Sequence, residues 1–184
     1  PLERLGEYTD AIERINIEFS LKNKLALLDA LEAYLAGTPR IGKTGDADTD
    51  RRPADEVLGE RPRLAIAVIE AARRRWSWLL ANMDRSLAQS TAELGTLGLD
   101  ALAAEFARRI AADPAVRVFD LLQDRTIRVS WKSEVRSELR RLFAGGSFGP
   151  LLDDLGAVQQ KALRSRVFVA LHMHAGDGNV HTNI

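Results

Sequence analysis

The sequence predicts an α+β fold that is predominantly helical, with short strands near both ends of the chain and helices between them. Its 184 residues are rich in Ala, Leu, Arg and Glu, which favour the helical state. Between residues 62 and 164 apolar side chains recur at helical spacing, whereas residues 15–19 and 167–171 have the short apolar patterns of strands. A chain of this length can bury one good core, or form one domain that contains a sizeable insertion.

The charge balance and the missing residue types exclude several classes of function. The 26 basic and 26 acidic residues give a formal net charge of zero, and no stripe of arginines and aromatic residues is present, so no nucleic-acid partner is expected. The absence of cysteine excludes disulfides, iron–sulfur clusters and thiolate zinc sites within these residues, and it fits a reducing cytosol. No apolar run reaches about 18 residues and no signal peptide is visible, so no transmembrane segment is expected. We therefore predict a cytoplasmic protein, with peripheral attachment to the inner membrane face as an alternative.

Residues 15–36 are predicted to form a strand followed by a helix. The segment Ile15–Phe19 alternates apolar and polar residues, as a half-buried strand does. Ser20 is a natural helix N-cap, and Gly37 lies where the helix should end. Between them five leucines follow one stripe at helical spacing: Leu21, Leu25, Leu28, Leu31 and Leu35.

Residues 37–62 are predicted to form a mobile loop, because glycine, proline and alternating charges bury too little apolar area to offset the cost of ordering. The segment Gly37–Thr44 satisfies the spacing of a phosphate-binding P-loop. That motif needs a strand before it and a helix after it, whereas here a leucine-striped helix precedes it. We therefore interpret the match as chance.

The acidic residues that follow resemble the start of a calcium-binding loop. Asp46, Asp48 and Asp50 have the spacing of its first three ligands. The sixth position is Arg51 instead of glycine, and the twelfth is Val57 instead of glutamate. No calcium site is therefore predicted here.

The middle of the chain is predicted to contain helices at residues 62–89, 100–112, 114–122, 134–143 and 147–164. Residues 127–131 permit either a short strand or an extended lead into a helix. Trp76 and Trp78 do not share a helix face, so one is expected in the core and the other at a rim or an interface. The run Arg73–Arg75 is expected to be a solvated or salt-bridged helix face.

The strongest chemical signal is the end of the chain, where the three histidines lie within ten residues of one another: His172, His174 and His181. An apolar run at 167–171 predicts a buried strand, and Val180–Ile184 predicts a second one. Imidazole nitrogens suit Zn, Mn, Fe or Ni, and two or three of them leave positions open for a substrate. From the residues alone, a metal site and an ordinary turn with hydrogen-bonded histidines remain equally open.

The segment His174-Ala-Gly-Asp-Gly-Asn-Val-His181 resembles the His-x-Gly-Asp-Gly-Asn-x-His motif in the C-terminal domain of FAD-linked oxidases. These vanillyl-alcohol-oxidase-like flavoproteins include D-lactate dehydrogenases, glycolate oxidase and D-2-hydroxyglutarate dehydrogenase. The resemblance implies a partial ferredoxin-like sheet formed by the two ends of the chain. It assigns residues 1–36 to a substrate and metal domain as its strand–helix part. Residues 165–184 become the strand–turn–strand part of the same domain, and residues 37–164 become a helical insertion between the two parts.

The resemblance also implies a role for individual residues. His174 and His181 match the metal ligands of the family, for a zinc- or manganese-type ion, and Asn183 matches a position that helps to bind substrate. Four residues match the turn that supports the site: Gly176, Asp177, Gly178 and Asn179. The family's third ligand is a glutamate further along than Ile184. His172 matches no family role, so a nearby base and a core histidine both remain open.

The implied reaction is oxidation of a small 2-hydroxy acid, with the metal gripping its hydroxyl and carboxylate and a hydride passing to FAD. The chain begins with Pro1 and ends inside a predicted strand, so we expect a fragment whose FAD domain precedes it in the parent chain. By itself the fragment is expected to bind no flavin and to be inactive. The alternative is a helical protein-interaction module with no catalytic role.

Overall fold

The computed structural model describes residues 5–164, 170–173 and 180–183, with side chains described for 9–164. The described chain is mostly helical. In chain order its elements are α1 (Leu5–Ala36), α2 (Ala47–Asp50), α3 (Ala54–Leu58), α4 (Arg61–Ala81), α5 (Thr91–Leu94), a π-helical turn (Gly95–Leu99), a 3₁₀ turn (Asp100–Leu102), α6 (Ala103–Ala112), α7 (Val118–Gln123), a second π-helical turn (Lys132–Arg136), α8 (Ser137–Leu142), a 3₁₀ turn (Gly146–Phe148), α9 (Gly149–Arg164), β1 (Ala170–Met173) and β2 (Val180–Asn183).

The predicted strand at Ile15–Phe19 is wrong, because this segment lies inside the 32-residue helix α1. Its short alternating pattern is ambiguous, since Ile12, Ile15 and Phe19 are also spaced as one face of a helix. A helix satisfies its backbone hydrogen bonds within the segment, whereas a strand needs a neighbouring strand to do so. An ion pair of 3.2 Å between Arg14 and Glu18, one turn apart, adds to the helical preference.

The partial ferredoxin-like sheet predicted from the two ends of the chain is also wrong. The N-terminal end supplies a helix where that sheet needs a strand. Within the described residues, β1 and β2 pair only with each other, as an antiparallel two-stranded ladder. The assignment of 37–164 as an insertion between 1–36 and 165–184 stays a prediction.

The described residues group into two compact units. The first contains those within 1–23, 78–128 and 166–184, and the second contains those within 24–77 and 129–165. Within residues 5–164, no helix has a stretch long and apolar enough to cross a membrane.

The second unit has a core of leucines and aromatic residues contributed by α1, α4 and the helices after residue 131. The predicted leucine stripe of α1 is confirmed at Leu28, Leu31 and Leu35, which are at most 3% exposed, while Leu25 is only half-buried. The other large buried residues of this unit are Leu27, Leu58, Ile69, Trp76, Val135, Leu139, Phe143, Phe148, Leu151 and Leu155. The rings of Phe143 and Phe148 meet edge to face, with centroids 5.7 Å apart.

In the first unit, two irregular segments are joined by backbone hydrogen bonds. No periodic pattern in the sequence indicates this contact. The predicted helix at 62–89 ends earlier, at Ala81. The chain that follows it hydrogen-bonds to the segment leading into α7, through Leu87 N to Val116 O at 2.9 Å and Phe119 N to Met83 O at 2.8 Å. These apolar residues are all at most 5% exposed.

The segment at 127–131 was predicted to be either a short strand or an extended lead into a helix. Residues 128–130 form no strand and lead into the helical turn that begins at 132, so the second alternative is the one observed.

The two tryptophans of α4 have different environments, as predicted. Trp76 is fully buried, and its indole Nε1 donates a hydrogen bond of 3.0 Å to Glu134. Trp78 is half-buried, and the guanidinium of Arg85 lies 5.7 Å from the centre of its ring. Core packing by one ring and a rim position for the other are therefore confirmed.

Candidate functional site

The predicted metal and substrate site falls partly on the β1–β2 hairpin. His181 and Asn183 lie in β2, where their ladder partners in β1 are His172 and Ala170. Cα atoms of directly opposed residues in an antiparallel ladder lie about 4.5–5.5 Å apart. The hairpin backbone thus places one predicted ligand, His181, opposite the histidine that sequence reasoning left without a role.

The other predicted residues of this site lie outside the described residues: His174, Gly176, Asp177, Gly178 and Asn179. Among the residues that the structure describes, no group of three or more His, Cys, Asp or Glu is arranged to hold a metal ion. The two predicted protein ligands are imidazole nitrogens, which fit zinc better than calcium or magnesium. The metal site stays a prediction.

Several amides of the P-loop-like segment are already engaged by other groups of the protein. Gly42 N donates to Ser147 O at 2.7 Å, while Thr44 N and Gly45 N donate to the Asp50 carboxylate at 2.7 and 3.1 Å. A P-loop uses such N–H groups to cradle phosphate oxygens. Gly42 also approaches Pro150 so closely that a Cβ would lie 3.0 Å from its Cδ, which gives this glycine a packing role. The match at Gly37–Thr44 has a structural explanation without a nucleotide.

The acidic residues of the same segment are used as local caps. Asp46 accepts hydrogen bonds from Asp48 N at 3.3 Å and from the Thr49 hydroxyl at 2.6 Å, at the start of α2. Hydrogen bonds from Thr49 and the Asp48 amide hold the pKa of Asp46 below its ordinary value. Amide hydrogen bonds from Thr44 and Gly45 similarly lower the pKa of Asp50. These carboxylates therefore order the chain locally through their hydrogen bonds.

A cleft of about 230 Å³ lies beside this segment, and its charged lining is mixed. Lys43 and Arg52 contribute positive charge, whereas Asp50 contributes a carboxylate between them in sequence. An anion entering the cleft would meet that carboxylate, so the lining offers no clear selection by charge.

Glu134 is a carboxylate of the second unit that accepts hydrogen bonds from three different residues. Its Oε2 accepts from Arg75 at 2.7 Å and from Trp76 Nε1 at 3.0 Å, and its Oε1 accepts from Ser130 N at 2.8 Å. Its side chain is 14% exposed and lines a cleft of about 250 Å³ together with Val68, Ala71, Ala72, Arg75 and Glu138. Because its oxygens are engaged by three donors, Glu134 braces the helix packing and is poorly placed to act as a base. The Arg73–Arg75 run was predicted to be a solvated or a salt-bridged face, and this pair and the Arg73–Asp29 pair at 3.1 Å select the salt-bridged alternative.

A second polar cluster joins Tyr34, Arg40 and Asp154. The Tyr34 hydroxyl donates to Asp154 Oδ2 at 2.7 Å, and Arg40 Nε donates to the same oxygen at 2.8 Å. Burial, followed by the hydrogen bond to Asp154, raises the pKa of Tyr34 to about 12. Hydrogen bonds from Arg40 and Tyr34 lower the pKa of Asp154 to about 2. Tyr34 therefore keeps its proton at neutral pH, and the cluster ties the chain after α1 to α9 without offering a base or a nucleophile. No local sequence signal indicates this cluster, since its partners are 114 and 120 residues apart.

Comparison of the chain with protein-family models found no match, and comparisons with curated proteins and with solved structures found none either.

Proposed function

We propose that the chain is the substrate- and metal-binding part of an FAD-dependent 2-hydroxy-acid dehydrogenase or oxidase of the D-lactate or glycolate type. The observation that carries this proposal is the segment from His174 to His181, which agrees with the His-x-Gly-Asp-Gly-Asn-x-His motif at every fixed position. In this proposal FAD is held by another domain of the same parent chain. The parent protein is then an oxidoreductase acting on a CH–OH group.

The residues of the site divide into ligands and a substrate contact. His174 and His181 would hold a zinc- or manganese-type ion through neutral imidazole nitrogens, so protons compete with the metal for both side chains. When bound, such an ion supplies Lewis-acid polarisation of the substrate hydroxyl, and FAD accepts the hydride. Asn183 carries an amide that both donates and accepts hydrogen bonds, as a contact to a hydroxy-carboxylate requires.

The hairpin register supports a compact site. The pairing of His172 with His181 brings two imidazole-bearing positions of the chain together, and Asn183 follows two residues later in the same strand. A hairpin is a more rigid support for ligands than an unpaired loop, since its backbone groups are paired. His172 is thereby near the site, although it matches no family role.

Metal titration of the chain tests the ligand assignment. Metal-free protein is titrated with Zn²⁺ and with Mn²⁺ by calorimetry, in parallel with the His174→Ala/His181→Ala variant and with His172→Ala as the matched control. Replacement of an outer-shell residue weakens metal binding by about 10–100-fold, so loss of two direct ligands should exceed that range. Equal affinity in the double variant and in the unaltered chain would contradict the assignment.

Flavin reduction in the parent enzyme tests the reaction. D-lactate and glycolate are mixed anaerobically with the oxidised parent protein, and the flavin absorbance is followed for the unaltered protein and for the same double variant. We expect reduction by at least one acid and a large loss of rate in the double variant. Equal rates in both proteins would remove the metal site from the reaction.

A helical protein-interaction module is the second candidate, and the mostly helical character of the described chain favours it. In that case the terminal hairpin is a scaffold and its histidines hold no metal. The calorimetric titration separates the two candidates, because the module predicts the same weak metal binding with and without His174 and His181.

A further inference from the structure

A small cleft in the second unit lies among residues 131–140 and helix α9. Its volume is about 60 Å³. Its apolar part consists of Leu139, Leu152 and Leu155, of which Leu139 and Leu155 are at most 5% exposed. One buried water needs about 15 Å³ of cavity space, so the cleft has room for roughly four waters, or for the head group of a small organic molecule.

Two arginines, Arg136 and Arg140, line the same cleft and have no charged partner among the described residues. Arg136 is half-buried and Arg140 is exposed four residues later, yet neither side chain forms a hydrogen bond or an ion pair within the described part of the chain. Neighbouring arginines behave differently, because Arg141 pairs with Glu138 at 2.7 Å and Arg75 pairs with Glu134 at 2.7 Å. Two guanidiniums beside an apolar surface favour an anion, and a planar carboxylate is their best match in geometry.

The indole of Trp131 also lines the cleft, and its nitrogen has no hydrogen-bond partner. That nitrogen is covered from solvent, so its missing hydrogen bond is unfavourable. Trp131 directly precedes the π-helical turn Lys132–Arg136, which ends at the first of the two arginines. π-helical turns occur frequently at functional sites.

Gly156 leaves the α9 side of the cleft open. A Cβ at this position would meet no atom within 4 Å, although the residue lies inside a helix where glycine is unfavourable. Gln159, one turn further along α9, adds an amide that can donate to an oxygen or accept from a hydroxyl.

We propose that this cleft binds a small organic carboxylate whose oxygens meet Arg136 and Arg140 and whose short hydrocarbon body packs on Leu139, Leu152 and Leu155. None of the described residues that line the cleft belongs to the predicted metal site, and the proposed binding needs neither metal nor flavin. A strongly hydrated inorganic anion fits less well, because the apolar floor cannot replace its lost water contacts.

Nuclear magnetic resonance of the tryptophan indole groups tests this site in the full chain. The Trp131 Nε1–H resonance is assigned with Trp131→Phe and followed during titration with butanoate, 1-butanol and inorganic phosphate. We expect saturable movement of this resonance with butanoate, and at least tenfold weaker binding of 1-butanol and of phosphate. Equal movement with butanoate and 1-butanol would overturn the charge recognition, and equal binding of phosphate would overturn the organic carboxylate in favour of a simple anion site.

Matched variants test the residues. Arg136→Met/Arg140→Met should weaken butanoate binding by at least tenfold, whereas Lys132→Met removes a nearby exposed charge outside the cleft and should leave binding unchanged. Gly156→Leu should abolish binding by filling the cleft, while Gly156→Ala should retain it. Circular dichroism confirms that each variant keeps its helix content. Unchanged binding in both the double arginine variant and Gly156→Leu would overturn the proposed location.

Discussion

The hydroxyl of Tyr34 donates a hydrogen bond of 2.7 Å to Asp154 Oδ2, and this contact links α1 to α9 within the second unit. Arg40 approaches the same carboxylate from the loop after α1, with Nε 2.8 Å from that oxygen. The carboxylate of Asp154 therefore connects α9 both to α1 and to the start of the irregular segment that follows α1.

Replacing Tyr34 by phenylalanine tests the helix link. Tyr34→Phe removes the hydroxyl donor but keeps the ring and leaves Arg40 paired with Asp154. Loss of one ordinary hydrogen bond should lower Tm by about 2–4 °C in a chain of this size. Thermal unfolding followed by circular dichroism measures the shift. An unchanged Tm would show that the hydrogen bond contributes nothing to stability.

The same cluster predicts how stability depends on pH. The pKa of Asp154 is lowered to about 2 in the folded state, so its stabilising contribution is present above the ordinary aspartate pKa and disappears as the pH falls toward 2. The pKa of Tyr34 is raised to about 12, so its contribution is present below the ordinary tyrosine pKa near 10 and disappears as the pH rises toward 12.

Asp154→Asn should therefore flatten the loss of stability between about pH 4 and pH 2. The adjacent exposed Asp153 offers a matched control, because Asp153→Asn removes the same charge without removing those hydrogen bonds. Urea unfolding at a series of pH values compares the two variants. Identical acid profiles would mean that Asp154 is not a source of the pH dependence.

Removing the carboxylate of Glu134 is expected to lower the free energy of unfolding more than removing that of Glu138. Glu134→Ala leaves the buried indole nitrogen of Trp76 and the guanidinium of Arg75 without this acceptor, and we expect a loss of about 2–3 kcal/mol in the free energy of unfolding. Glu138→Ala breaks a largely exposed pair with Arg141 in the same region and should cost less than about 1 kcal/mol. Urea denaturation measures both, and equal losses would contradict a bracing role for Glu134.

Asp50 is predicted to order the P-loop-like segment. Asp50→Ala removes the acceptor of Thr44 N and Gly45 N, so these two amides should exchange with deuterium roughly tenfold faster. Asp48→Ala provides the control, because its carboxylate accepts neither amide. Exchange that is equally fast in both variants would show that other contacts order the segment.

The buried leucine face of α1 was predictable from sequence, because a repeat of three to four residues defines one side of a helix wherever that helix packs. Leu28, Leu31 and Leu35 follow it. The stretch Ile15–Phe19 was assigned wrongly since five alternating residues also fit a helix, and the short pattern does not decide between the two. The metal ligands His174 and His181 rest on a local motif, which is why sequence reasoning could propose them at all.

The sequence by itself thus determined the predominantly helical character, the apolar stripe of α1 and the candidate metal motif, all of which depend on residues close together in the chain. Tertiary structure decided the contacts of Asp154 with Tyr34 and Arg40, the contacts of Glu134 with Arg75 and Trp76, and the meeting of Arg136 and Arg140 with Leu155 in one cleft. These pairings join residues that the helix period does not relate. They form only where packing brings two distant segments within the roughly 3 Å of a hydrogen bond or the roughly 4 Å of an apolar contact.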